Sequence, residues 1–150
     1  MKNQYKVAEI KLVYKPSYKI EERPFIGDSS KAYEILKQHW DEGLMQFIEQ
    51  FKIILLSTSN RVLGIFEVST GGINGVLVDQ RVIFAAALKA NACQIILSHN
   101  HPSGNLKPSI VDLQLTKNLV ECGKIMNIKV IEHIIITVDG YYSFCDEGDI

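Results

Sequence analysis

Residues 93–98, CQIILS, are a short apolar run that leads straight into HNHPSGNLKPS, and then into SIVDLQLTKNLVECGKIMN. In that last segment Ile110, Leu113, Leu115, Leu119 and Val120 recur at helical spacing. This passage of buried strand, stiff two-proline loop and amphipathic helix constrains the chain more than any other feature. It requires a sheet to bury the strand, and it sets two histidines at the strand's C-terminal end.

The remaining segments extend that sheet. YKVAEIKLVYK (5–15) alternates between apolar and charged residues and reads as a half-buried strand. Residues 16–27 are a connector. Asp28, Ser29 and Ser30 offer N-caps for a helix over 29–42, with Gly43 near its end. FKIILLSTS (51–59) and RVLGIFEVS (61–69) form two strands joined across Ser59-Asn60 as a hairpin. TGGING is a loop, and Asp79 caps a helix through QRVIFAAALKANA. IKVIEHIIITV is a β-branched strand that Asp139-Gly140 turns into YYSFC. The order β, α, β, β, α, β, α, β, β predicts an α/β fold with a mixed sheet flanked by helices. With 150 residues the chain is expected to form one domain.

Sixteen basic and 17 acidic residues give a net charge of −1, without the clustered cations of a nucleic-acid footprint. No apolar run approaches the roughly 20 residues of a membrane span. The charged N-terminus lacks the apolar core of a signal peptide. Cys93, Cys122 and Cys145 are far apart and odd in number, which predicts buried free thiols rather than disulfides or a cysteine metal site. Together these features place the protein in the cytoplasm.

The loop itself carries chemistry. An isolated H-x-H is usually just a pair of polar residues. "SIVD" before an apolar run is a capping box. In combination, His99, His101 and Asp112 supply two nitrogens and one oxygen, the three protein ligands a catalytic zinc typically takes while keeping a fourth position for water. Ser109, three residues before Asp112, can donate to oxygen charge developing beside such a metal. Asn100 lies between the histidines and is expected to point away and orient the loop. Ser103 and Gly104 shape the turn. His133 reads as a core histidine within reach of supporting a metal ligand from behind, and His39 as structural or exposed.

H-x-H-P, six residues, then S-x-x-D resembles the signature of the JAMM (MPN+) metalloproteases, matched here by His99, His101, Pro102, Ser109 and Asp112. The fuller HNHPSGNLKPSIVD is similar to the RadC family, the bacterial branch of that fold. EQFKIILLSTSNRVLG, VLVDQRVIFAAALKANACQIIL, LTKNLVECGKIMNIKVIEHIIIT and YYSF extend the resemblance over about 28–147. The resemblance implies a JAB/MPN fold related to the cytidine deaminases. It implies one Zn²⁺ per chain on His99, His101 and Asp112, and hydrolysis of a peptide or isopeptide bond in an unidentified peptide or protein substrate. Matching "EQF" to the family pattern places the general base on Glu49, with Glu42 as the alternative. Read without the family, Glu49 is a solvated carboxylate at a helix–strand junction.

Full-length RadC proteins carry an N-terminal helix-hairpin-helix region with no counterpart in this sequence, so a DNA role is not expected. Nucleobase deamination is disfavoured because its H-x-E and P-C-x-x-C pattern is missing. The non-enzymatic alternative is a metal-binding interaction module in DNA-associated processes. Oligomeric state has no visible signature.

Overall fold

In the computed structural model, residues 5–11, 13–72 and 75–150 are described. A five-stranded sheet runs in the order β2-β1-β3-β4-β5. Its strands are β1 (Gln50–Leu56), β2 (Val62–Thr70), β3 (Gln94–Asn100), β4 (Lys129–Ile136) and β5 (Tyr141–Ser143). β1 is antiparallel to β2 and β3, β3 is parallel to β4, and β5 is antiparallel to β4. The expected mixed α/β sheet is therefore present.

Helices cover both faces, which is why β1 and β3 read as continuous apolar runs. Phe51, Ile53, Leu55, Ile95 and Leu97 face α3 (Gln80–Lys89) and α4 (Ile110–Met126). Ile54, Leu56, Ile96, Ile134 and Ile136 pack with α1 (Ser29–Gln38) and with Met45 of α2 (Glu42–Met45). Since alternate residues of a strand point to opposite faces, His99 continues the Ile95–Leu97 row toward α4, and Asn100 continues the Ile96 row toward α2.

Local rules set the helix ends. Asp28 and Asp79 cap α1 and α3 through their side chains. The helix expected over 29–42 stops at Gln38, because Asp41 caps a new turn by accepting from the Gly43 amide, and Trp40 is drawn into the core between them. α3 stops before the expected 92, where Asn91 adopts a left-handed φ of 56°.

Two expectations fail. Residues 5–11 and 13–15 form no strand, and Leu12 lies outside the described residues. Val7 and Ile10 are 88% and 87% exposed. The alternation is there, but among the described residues no sheet edge pairs with it. The hydroxyls of Tyr14 and Tyr18 donate to the Leu63 carbonyl without starting a ladder. The cysteines are free as expected, but Cys93 and Cys122 are only partly buried and Cys145 is exposed.

The turn from α4 into β4 is tight. Asn127 takes φ 54°, and the Ile128 amide donates to the Gly123 carbonyl at 2.9 Å. A Cβ on Gly123 would sit 2.3 Å from the Ile128 oxygen. Gly123→Ala is therefore expected to destabilise the fold by roughly 1–3 kcal/mol. The check is a lower urea midpoint at unchanged slope.

Candidate metal centre

β3 and α4 bring three of the predicted residues together. His99 is the penultimate residue of β3, 2% exposed, with its ring 6.0 Å from Phe51 and nearly parallel to it. His101 follows the strand, and Asp112 lies in the first turn of α4. One ligand atom from each of the three lies within 4.8 Å of the others. His99 Nε2 is 3.0 Å from His101 Nε2 and 3.3 Å from Asp112 Oδ1, and His101 Nε2 is 3.2 Å from Asp112 Oδ2.

The capping box is also real. Ser109 Oγ accepts from the Asp112 amide at 3.0 Å, and Asp112 Oδ2 accepts from the Ser109 amide at 2.8 Å. The two readings of SIVD thus coexist. The cap fixes the carboxylate that faces the histidines, and the Ser109 hydroxyl, acting as an acceptor in the cap, keeps its proton to donate elsewhere.

The donor set fits a cation. His101 Nδ1 lies 2.6 Å from the Asn105 carbonyl oxygen, which can only accept. The ring proton therefore sits on Nδ1, and the Nε2 lone pair points at the Asp112 carboxylate. An imidazole lone pair and a carboxylate at this distance are satisfied only by positive charge between them. In the metal-free fold a proton supplies that charge. Burial alone would lower His101, but hydrogen bonding to Asp112 and to the Asn105 carbonyl outweighs it and raises the imidazole above its ordinary value. Burial alone would raise Asp112, but the protonated His101, the His99 imidazole beside it and the Ser109 amide hold it well below the carboxylate range.

Glu49 precedes β1. Its amide donates to the Gly72 carbonyl and its carbonyl accepts from the Gly71 amide. It shares one cleft with His99, His101, Ser109 and Asp112, and that cleft is walled by Phe51, Val76 and Leu115. Burial raises the Glu49 carboxyl above its usual value, against the pull of His99 and His101. Ser103 and Asn105 line the adjoining, more polar cleft, which also includes Glu49 and Lys107. Glu42 opens α2 and lines neither cleft. Gly104, at φ 82°, makes the turn after His101. His39 closes α1, its Nδ1 2.9 Å from the Ile35 carbonyl. In the TGGING loop, Gly72 and Gly75 bridge, and 73–74 lie outside the described residues.

Asn100 does more than orient its own loop. Its Oδ1 accepts from the Gln50 amide at 2.7 Å, and its Nδ2 donates to the Met45 and Ile48 carbonyls at 2.8 and 2.9 Å. The residue between the two histidines thus clamps the segment that carries Glu49. Asn100→Ala leaves buried groups unpaired and is expected to cost about 3 kcal/mol. Faster hydrogen exchange at Gln50 than at the centre of β1 would show that the loss is local.

His133 and Glu132 are the buried polar residues that periodicity alone does not assign. His133 Nε2 lies 2.7 Å from His99 Nδ1. Glu132 faces the other side of the sheet and accepts from the His133 and Cys145 amides and the Ser143 hydroxyl, so it serves the fold rather than the cleft.

Residues 26–149 match the RadC-like JAB domain profile. The UPF0758 protein of Flavobacterium johnsoniae is 46% identical over 100 residues, covering 67% of this chain and 44% of that protein. The UPF0758 protein of Alkaliphilus metalliredigens is likewise 46% identical over 100 residues, covering 43% of its own length. That of Syntrophotalea carbinolica is 34% identical over 145 residues, 95% of this chain and 64% of the relative. The chain thus spans less than half the length of the first two relatives. No helix among the described residues is long and apolar enough to cross a membrane.

Proposed function

Since this chain belongs to the RadC family of JAB-like domains, we propose that it is a zinc-dependent hydrolase of the JAMM type that cleaves a peptide or isopeptide bond. The observation that carries this reading is the convergence of His99, His101 and Asp112 on one point, with Glu49 and Ser109 on the wall of the same cleft.

His99, His101 and Asp112 would hold the metal; two imidazoles, one carboxylate and an open position suit a catalytic zinc, and the family resemblance selects zinc over the iron(II) that the same donor set also takes. When bound, the ion supplies Lewis acidity, acidifying water and polarising a carbonyl. Glu49 takes the proton of the attacking water and returns it to the amine nitrogen as the C–N bond breaks. Burial in the cleft favours its protonated form, which suits a carboxylate that must carry a proton from water to the amine. The Ser109 hydroxyl donates to the substrate carbonyl oxygen as negative charge gathers there. Loss of one such donor typically costs about 10²–10³ in kcat. Asn100 holds Glu49 in position, and Phe51, Val76 and Leu115 keep one side of the cleft apolar.

The test is metal content by mass spectrometry on protein purified without a histidine tag, followed by peptide and isopeptide libraries. About one zinc per chain, with turnover lost to a chelator and restored by zinc, is the expected result. A chain that neither contains zinc nor takes it up would end this reading. Zinc binding without cleavage of any library member would favour the interaction module.

A further inference from the structure

We propose that Thr116 and His133 are positioning residues that fix the proton of His99 on Nδ1, so that its Nε2 lone pair faces His101 and Asp112. The inference deepens the metal-site reading and rests on it for its purpose, though not for its geometry.

Thr116 lies one helical turn after Asp112 on α4. Thr116 Oγ1 lies 2.7 Å from the Asp112 backbone carbonyl, which can only accept. The hydroxyl proton is therefore committed to that carbonyl. Thr116 Oγ1 also lies 2.6 Å from His133 Nδ1, and with its own proton used it can only accept there. His133 Nδ1 must then carry the hydrogen, which leaves Nε2 as an acceptor. That Nε2 is 2.7 Å from His99 Nδ1, so the His99 proton is on Nδ1. Were the chain of donors reversed, His99 Nε2 would bear the proton and could not bind a metal. The direction is set by one carbonyl, and that carbonyl belongs to Asp112, which also offers its carboxylate. The same helical turn thus supplies a ligand and orients the tautomer of another.

The fold makes this contact deliberate. Opposite Ile95 and Ile96, β4 offers Val130 and Glu132, so Ile131 is an extra residue in a bulge. Val130 packs in the cluster facing α3 and α4. Strict alternation from Val130 would turn His133 away from that face. The bulge shifts the phase and aims His133 at His99. Phe144 stacks on the His133 ring at 4.4 Å and Phe51 meets it at 5.7 Å, so a fully buried imidazole is held in one orientation. Outer-shell partners of this kind fix the tautomer and ring angle of ligating histidines, and their loss typically costs 10–100-fold in metal affinity.

The test uses the full chain and reads the tautomer directly, by long-range ¹H–¹⁵N correlation of the imidazole nitrogens in metal-free protein at about two units above the ordinary histidine pKa. The expected spectrum shows His99 and His133 protonated on Nδ1. Zinc affinity is then measured by competition with a chelating dye for wild type, Thr116→Val and Thr116→Ser. Thr116→Val should lose roughly 10–100-fold, and Thr116→Ser, which keeps the hydroxyl, should recover it. Wild-type His99 protonated on Nε2 would overturn the assignment, with no variant needed. Thr116→Val binding zinc as wild type does would overturn its positioning role. An Nδ1-protonated His99 in a chain that takes up no zinc would uphold the relay and remove the metal site instead.

Discussion

Glu49→Gln is expected to leave the zinc content of the chain unchanged and to lower turnover by about 10²–10⁴-fold, the usual share of a general base. Glu49 touches none of the three ligands by hydrogen bond, so glutamine there alters neither the donor set nor the cap. Its backbone bonds to Gly71 and Gly72 are indifferent to the side chain. What changes is basicity: the amide cannot take a proton from water. A variant that kept zinc and turned over at the wild-type rate would remove Glu49 from the chemistry, leaving the Asn100 clamp to serve stability alone. A variant that lost zinc as well would mean that the cleft depends on the Glu49 charge, and the base assignment would not stand on it.

How much of this was legible in the sequence depends on sequence separation. His99, His101, Ser109 and Asp112 fall within 14 residues, and the loop joining them has two prolines and a helix cap with clear local rules. Their convergence needed only a strand end and a helix start. Glu49 is 50 residues away from His99 and was placed by family resemblance. Nothing local distinguishes it from Glu42, and only the β1–β3 pairing brings it to the cleft. His133 and Thr116 were harder still. The contact of His133 depends on parallel pairing across α4 and on a bulge that shifts the alternation by one residue. A single-strand pattern cannot reveal which face a histidine takes after a bulge. The N-terminal segment shows the converse error. Alternation over 5–15 satisfies the local rule for a strand, but strand formation also needs a partner edge, and periodicity carries no information about that.

The double use of Asp112 gives a second large effect, which separates capping from ligation. Asp112→Asn keeps an oxygen that can accept from the Ser109 amide, so the capping box and α4 should persist. What it removes is the negative charge facing two imidazoles. Zinc affinity should fall by more than the roughly 10–100-fold typical of losing a group that only supports a ligand, because an anion that touches the metal itself is gone. Its apo stability should also decline modestly at neutral pH. The carboxyl is held below its ordinary value in the fold, so its charge contributes stability above the unfolded pKa of about 4, and that contribution is lost as pH falls through the folded value. Ser109→Ala gives the opposite pattern: about 1 kcal/mol of helix stability lost with the cap, and zinc retained. If Asp112→Asn instead bound zinc as tightly as wild type, the carboxylate would be a cap and nothing more. Two histidines alone would then be too few for the three-ligand site, and the hydrolase reading would fall with it.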